Sequence, residues 1–163
     1  MKIMQKMKFK NINIALYVQS YSLGKMGHRH NKITRRLKTL GVHLIDRPLS
    51  DHEYHDILSK TSIMPLPYSK IPYHRQSSGI FAEALSCGAI CIVPEGSWMA
   101  SELKKLNLGL IYKSSEKGSF EESVSDAIEN YIELSVRYEQ ASLIWNRFHN
   151  PKTYVDMLLE IVS

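Results

Sequence analysis

Short apolar, β-branched runs alternate with longer segments of helical periodicity over the first two-thirds of the chain. Each run is bounded by glycine, proline, serine or lysine, as expected for buried strands. The pattern predicts strands over residues 13–19, 42–45, 62–66, 90–93 and 109–112. Their starts lie roughly 20 to 30 residues apart, which suits parallel βαβ crossovers and not hairpins. The sequence therefore predicts an α/β fold with a Rossmann-like parallel sheet and helices on both of its faces.

Helix start and stop signals lie between the predicted strands. Ser50 and Glu53 form an S-x-x-E capping box, which predicts a helix start there, with Tyr54, Ile57 and Leu58 facing the core. Gly41 is a stop signal for an earlier amphipathic segment. Helices are predicted over residues 30–40, 78–87 and 99–106. The order of elements is thus an alternation of strand and helix.

After residue 112 the pattern becomes purely helical. Ser119 and Glu122 form a second capping box, so a helix is predicted to begin there. Its apolar face is predicted to consist of Phe120, Val124, Ala127, Ile128, Tyr131 and Ile132. A helix over 138–148 and a last helix from Pro151 complete the prediction. No linker long enough to divide the chain is apparent, so we expect one domain over 12–163, preceded by a basic segment over 1–11.

Length and cysteine content narrow the class of protein. A chain of 163 residues can bury a full core without disulfides. Cys87 and Cys91 lie in an apolar stretch with C-x-x-x-C spacing, so we expect buried thiols of a reducing compartment and no four-thiolate zinc site. The longest apolar run, 89–93, is far too short to span a bilayer, and residues 1–10 lack the apolar region of a signal peptide. We therefore expect a cytoplasmic protein.

The histidines do not favour a metal site. His52 and His55 have H-x-x-H spacing, which differs from the H-E-x-x-H of zinc proteases, and no third ligand is evident. The loop after the first strand contains Gly24 and Gly27 without the spacing of a dinucleotide-binding motif or of a P-loop. We therefore expect no metal ion, and the sequence disfavours NAD binding and ATP hydrolysis.

Ligands of open parallel sheets bind beyond the carboxyl ends of the strands. Of the loops at these ends, the one after the third strand contains the most candidate binding residues. It brings Ser77, Ser78 and Gly79 to a predicted helix start, where unpaired amides and the helix dipole favour a phosphate group. Arg75 and Lys70 could add positive charge.

Glu83 lies one turn further along that helix, where its carboxylate could accept hydrogen bonds from a ribose or another polyol. The alternative is that Ser77 and Ser78 only cap the helix and that Glu83 is a solvated acid. In the loop after the fourth strand, Trp98 is expected to pack under the last helices and not to stack on a base.

Three segments together resemble the donor-binding domain of family-4-type, retaining glycosyltransferases with the GT-B fold. They are residues 66–68 (LPY), 77–88 (SSGIFAEALSCG) and 92–98 (IVPEGSW). The resemblance runs from about residue 12 to the C-terminus. It implies that this chain is one of two Rossmann-like halves, with extra C-terminal helices, and that residues 1–11 are the remnant of an interdomain linker.

The resemblance also implies the donor site. The backbone of Ser78, Gly79 and Ile80 corresponds to the element that meets the diphosphate and sugar, and Glu83 to the second glutamate of the E-x7-E motif, which holds the ribose. The first glutamate of that motif would fall near Arg75, where the chain has no acid. The expected donor-binding residues are Tyr68, Arg75, Ser77, Ser78, Gly79, Ile80 and Glu83. The donor would be a nucleoside-diphosphate sugar, with no other cofactor.

Two functional classes remain open. The first is a glycosyltransferase donor half that needs an N-terminal half, either on a separate polypeptide or in a longer enzyme, because transfer needs the donor shielded from water and the acceptor held in line. The second is a non-catalytic nucleotide-sugar-binding module or relic, which the missing first glutamate favours.

The net charge of +5 and the basic segment 30–38 raise a third alternative, a nucleic-acid-binding domain. The apolar positions of that segment match a core-facing stripe, so nucleic acid is the disfavoured partner. The family's frequent action on lipid-linked glycans makes peripheral contact with the inner face of the membrane a further expectation.

Overall fold

A computed structural model of the chain describes residues 14–19, 42–68 and 76–162. The chain forms two compact units, Met1–His55 and Asp56–Ser163. The predicted helix over 30–40, the glycine pair after the first strand, and Lys70 and Arg75 lie outside the described residues.

The first unit contains a parallel pair of strands, β1 (Tyr17–Gln19) and β2 (His43–Ile45). The rings of Tyr17 and His43, which are opposite each other in the register, stack with centroids 4.8 Å apart. The amide Nε2 of Gln19 donates a hydrogen bond of 3.3 Å to the carbonyl of Arg47, which ties the chain after β2 to the end of β1.

The predicted capping box at Ser50 is confirmed at the start of helix α1 (Asp51–Ser59). The amide of Glu53 donates to Ser50 Oγ at 3.3 Å, and the amide of Ser50 donates to Glu53 Oε2 at 3.0 Å. Arg47 donates to both carboxylate oxygens of Glu53. These hydrogen bonds, first from Arg47 and then from Ser50, hold the pKa of Glu53 well below its usual range. Of the three residues predicted to face the core, Leu58 is buried, whereas Tyr54 and Ile57 are half-buried.

The second unit contains three short parallel strands in the order β3 (Ile63–Pro65), β4 (Ile90–Pro94) and β5 (Ile111–Tyr112). Every residue of the central strand β4 is buried, as expected for a parallel strand covered on both faces. The structure thus shows an α/β fold with parallel strands, as the sequence predicts. The described strands form a two-stranded and a three-stranded sheet. Four of the strands are shorter than the predicted runs, whereas β4 extends one residue beyond the predicted 90–93.

Five helices of the second unit follow within the described residues: α2 (Gly79–Ser86), α3 (Trp98–Lys105), α4 (Ser119–Glu129), α5 (Tyr131–Phe148) and α6 (Pro151–Val162). The predicted start of α6 at Pro151 is confirmed, and Asn150 Oδ1 caps it by accepting from the amide of Thr153 at 3.0 Å. The largest deviation concerns α5, which begins seven residues before the predicted 138.

The second predicted capping box, at Ser119, is wrong. Gly118 is the N-cap of α4, in the left-handed region with φ of 95°, and Ser119 is the first helical residue. The hydroxyl of Ser119 instead accepts a hydrogen bond of 2.9 Å from the amide of Lys113, directly after β5. The serine therefore fastens the turn between β5 and α4 and does not cap the helix.

The predicted apolar face of α4 also extends too far. Helix α4 ends at Glu129, and Asn130 separates it from α5. Tyr131 and Ile132 lie in the first turn of α5, and 41% and 82% of their surfaces are exposed. In the sequence, apolar residues continue at helical spacing across Asn130. Because the helix is interrupted at Asn130, however, the residues that follow face a different direction.

The core of the second unit is built around β4 and the aromatic residues of the helices. Phe81 is fully buried and its ring meets those of Trp98 and Trp145 edge-on, at 5.7 and 6.1 Å. Trp98 thus packs against Phe81 of α2, and its predicted packing under the last helices stays a prediction. Cys91 is buried in β4, but Cys87 is exposed because it lies at the C-cap of α2, which corrects the prediction of two buried thiols.

Candidate functional site

The candidate site lies at the carboxyl edge of the three-stranded sheet, where β3, β4 and β5 all end because they are parallel. Leu66 to Tyr68 follow β3, Glu95 to Ser97 follow β4, and Lys113 follows β5. The contact between Phe81, in the first turn of α2, and Trp98, the first residue of α3, brings the starts of these two helices together. Two helix N-termini are therefore neighbours at this part of the molecule.

Ser78 is the N-cap of α2 and is buried, with 6% of its surface exposed. Its extended backbone lets Oγ accept a hydrogen bond of 3.4 Å from the amide of Phe81, and its carbonyl accepts the first helical bond, from Ala82, at 3.1 Å. Within α2, the amides of Gly79 and Ile80 are consequently left without an intrahelical acceptor. They lie at the positive end of the helix dipole, where an anion is stabilised.

Gly79 has no conformational reason to be glycine. Its φ is not positive, and a Cβ built on it would meet no heavy atom of the described residues within 4 Å. A methyl group at this position would therefore neither strain the backbone nor clash with the described residues. Among the described residues, the glycine leaves open room directly over the start of α2, where a ligand could approach the backbone closely.

Glu83 is exposed, one turn beyond Gly79 on α2. Helical side chains lean towards the N-terminus, so a side chain at this position can reach over the turn that begins at Gly79. Ser77 is exposed just before the cap, and Ile80 is half-buried. The structure therefore places Ser77, Ser78, Gly79, Ile80 and Glu83 around one helix start.

Tyr68 lies three residues after the end of β3 and is half-buried. The phenol of Tyr112, in β5, donates to the carbonyls of Leu66 and Tyr68 at 3.4 and 3.3 Å, which fixes the chain after β3 to the far strand of the sheet. Burial, opposed by a weaker effect of the Ser114 hydrogen bond, raises the pKa of Tyr112. Arg75 lies between Tyr68 and the start of α2, outside the described residues, so its position relative to the site stays a prediction.

The start of α3, one residue before the predicted 99, is a second capped helix start, and its cap was not among the predicted site features. Gly96 adopts a φ of 73°, which favours glycine. Ser97 is buried, and its Oγ accepts from the amide of Ala100 at 3.1 Å and donates to the carbonyl of Pro94 at 2.7 Å. The sequence signal that could have identified this cap is the pair Gly96 and Ser97 directly before a helical segment.

Lys113 is a cation at the carboxyl edge that the sequence analysis did not single out. Its Nζ lies 2.9 Å from Glu116 Oε1. The hydrogen bond and charge of Glu116, together with the charge of Glu95, hold the pKa of Lys113 above its usual range. Much of its charge is therefore compensated by nearby carboxylates of the same edge.

No group of three or more His, Cys, Asp or Glu side chains suited to a metal ion occurs among the described residues. In the same part of the chain, no helix is long and apolar enough to cross a membrane. Comparisons with protein-family profiles, curated proteins and solved structures find no match for this chain.

Proposed function

We propose that the chain is the donor-binding half of a family-4-type glycosyltransferase with the GT-B fold, and that it binds a nucleoside-diphosphate sugar at the start of α2. The observation that carries the proposal is the helix start at the carboxyl edge, where Gly79 leaves room that no described residue fills. The resemblance of segments 66–68, 77–88 and 92–98 supplies the class of ligand.

The diphosphate is proposed to lie against the amides of Gly79 and Ile80. These donors, the dipole of α2 and the close approach allowed by Gly79 favour two adjacent phosphate groups. Arg75 would add a bidentate contact to phosphate oxygens. Ser77 and Tyr68 would border the ligand, whereas Ser78 acts through its cap, which holds the amides in place.

Glu83 is proposed to accept hydrogen bonds from the ribose hydroxyls. A carboxylate placed directly on a phosphate would repel it, so we place the ribose over the next helical turn, away from the diphosphate. Hydrogen bonds to a charged acceptor contribute about 1.5–3 kcal/mol each. This carboxylate would thus select a nucleotide over free diphosphate.

The transfer reaction would need more than this half. Retaining transfer requires the donor to be shielded from water and the acceptor held in line. We propose that an N-terminal half supplies these conditions, on a separate polypeptide or in a longer enzyme, and that the residues of this chain bind and orient the donor. A cytoplasmic location fits the two free thiols of Cys87 and Cys91.

A second candidate is a nucleotide-sugar-binding module without transferase activity. The absence of an acid near Arg75, where the family's motif has its first glutamate, favours it. The two functions share the binding site and differ in one measurement, which is transfer of labelled sugar to an acceptor when a candidate N-terminal half is added.

Binding can be tested by calorimetry or ligand-observed NMR with a panel of UDP-, GDP- and ADP-sugars. Glu83→Ala is expected to weaken binding by roughly tenfold or more, because it removes charge-assisted hydrogen bonds. Gly79→Ala is expected to weaken binding while leaving the fold intact. Gly109→Ala is its matched control, since Gly109 likewise has no positive φ and has open space at its Cβ position.

Absence of binding by every donor in the panel, with the protein folded, would refute the proposed function. Binding that Gly79→Ala leaves unchanged would refute its placement at the start of α2. Equal affinity of the Glu83→Ala variant and the unmodified chain would remove the assigned role of this carboxylate.

A further inference from the structure

Tyr112, the last residue of β5, is held at the carboxyl edge of the three-stranded sheet by both its backbone and its ring. It is opposite Pro94 in the register of β4 and β5, and only 6% of its surface is exposed. Its carbonyl accepts a hydrogen bond of 2.8 Å from the amide of Glu95. Its ring meets that of Phe120, in the first turn of α4, edge-on at 5.1 Å. The phenol at the end of this side chain therefore has a fixed place in the fold.

The phenol of Tyr112 reaches the chain that leaves β3. Strand β4 lies between β3 and β5, and strands two places apart are separated by about 9.6 Å, which is too far for backbone hydrogen bonds. The amide of Leu66 still donates to the carbonyl of Ile92 in β4, at 2.9 Å. Beyond that bond, the phenol donates to the carbonyls of Leu66 and Tyr68, at 3.4 and 3.3 Å. A side chain of β5 thus holds the turn at residues 66–68.

These hydrogen bonds fix a position more than they satisfy a buried acceptor. The carbonyl of Leu66 already accepts a bond of 2.8 Å from the amide of Tyr68, in a three-residue turn around Pro67. The phenol shares its one proton between two carbonyls, at distances longer than is usual for a hydroxyl donor. Loss of the phenol should therefore cost little stability, but it would release the turn that ends at Tyr68.

Tyr112 lies outside the three segments that resemble the donor-binding domain, yet it is hydrogen-bonded to two of them. Segment 66–68 accepts from its phenol, and segment 92–98 donates to its carbonyl through Glu95. The first of these segments ends at Tyr68, a predicted donor-binding residue, and the second contains Ser97, the N-cap of α3. One residue of β5 thus contacts the chain after β3 and the chain after β4.

We propose that Tyr112 is a positioning residue of the donor site, which holds Tyr68 in the place where it contacts the nucleoside-diphosphate sugar. This inference rests on the proposed function. Tyr112 itself does not touch the donor. It orders the turn at residues 66–68 before the donor arrives, so that binding does not have to order it. Without the phenol, part of the binding free energy would go into ordering this turn, and the donor would bind more weakly.

Tyr112→Phe tests the proposal, because it removes the hydroxyl and keeps the ring contact with Phe120. Calorimetry measures the dissociation constant of whichever UDP-, GDP- or ADP-sugar binds the unmodified chain most tightly. We expect an increase of about two- to fivefold, as for the loss of one weak neutral hydrogen bond. Tyr138→Phe is the matched control, because it also removes a phenol donor to a carbonyl, that of Cys91 inside β4. The control should lose more stability in urea and keep its donor affinity.

A double-mutant cycle tests whether Tyr112 acts through Tyr68. Tyr68→Ala by itself should weaken binding of the same donor. Adding Tyr112→Phe should then weaken binding no further, because the side chain that the phenol positions is already gone. Urea unfolding of every variant shows that the second unit is folded under the conditions of the calorimetry.

The outcomes separate this inference from the proposed function. If no donor binds the unmodified chain, the proposed function is wrong and the inference is wrong with it. If the unmodified chain binds a donor and Tyr112→Phe binds it equally well, only the positioning role is overturned. The same holds if Tyr138→Phe weakens binding as much as Tyr112→Phe does, or if the effects of Tyr112→Phe and Tyr68→Ala are additive.

Discussion

Replacing Tyr138 with phenylalanine would test how a backbone carbonyl of β4 that β5 does not reach obtains its hydrogen bond inside the core. The amide of Val93 donates to the carbonyl of Leu110 at 3.1 Å, so the backbone groups of Val93, and of Cys91 two residues earlier, face the β5 side. The pairing of β4 with β5 begins only at Val93. The phenol of Tyr138 donates to the carbonyl of Cys91 at 3.0 Å, and so supplies the hydrogen bond that β5 is too short to provide.

The expected cost follows from the burial of this pair. Tyr138 and Cys91 both have 0% of their surfaces exposed. Tyr138→Phe keeps the ring and its packing but leaves the carbonyl of Cys91 without its phenol donor, away from water. Removing one partner of a buried hydrogen bond costs about 1–3 kcal/mol. We expect the free energy of unfolding of the second unit to fall by that amount.

Urea unfolding followed by tryptophan fluorescence measures this loss, since both tryptophans of the chain, Trp98 and Trp145, belong to the second unit. Tyr131→Phe is the control, because it removes a hydroxyl from an exposed position of the same helix and should change stability by less than about 0.5 kcal/mol. If Tyr138→Phe cost no more than this control, the assignment of its hydroxyl as a structural donor to β4 would be refuted.

Three further predictions concern the thiols and the turn before α4. In the folded chain a thiol reagent should modify Cys87 rapidly and Cys91 only after unfolding, and equal rates would contradict the burial of β4. Burial raises the pKa of the Cys91 thiol to about 12 from its ordinary 9.0, so between these two pH values only the unfolded thiol loses its proton. Stability of the second unit, measured by urea unfolding at several pH values, should therefore fall as the pH rises through that window, and Cys91→Ala should reduce the slope. Gly118→Ala should cost about 1–2 kcal/mol, because φ of 95° strains any other L-residue, whereas Gly109→Ala should be nearly neutral; equal effects in thermal unfolding would contradict the left-handed cap.

The candidate site shows how far local signals reach. The sequence places Ser78 and Gly79 at a helix start, and the structure has the cap there because a serine hydroxyl and the amide three residues later are neighbours in any helix. The open space at Gly79 could not be predicted, since a glycine looks the same in sequence whether the fold requires it or not. Nor could the anchoring of Tyr68, because its partner Tyr112 is 44 residues away.

The same distinction holds for the whole chain. Strand positions, the capping box of Ser50 and the start of α6 at Pro151 follow from the sequence by itself, because periodicity and caps depend on residues within a few positions of each other. Only the tertiary structure decided that the hydroxyl of Ser119 binds the amide of Lys113, and that Ile132 points away from the core. Those outcomes depend on where β5 and Asn130 bring the chain, and on which groups are then close enough to compete for each hydrogen bond and each buried surface.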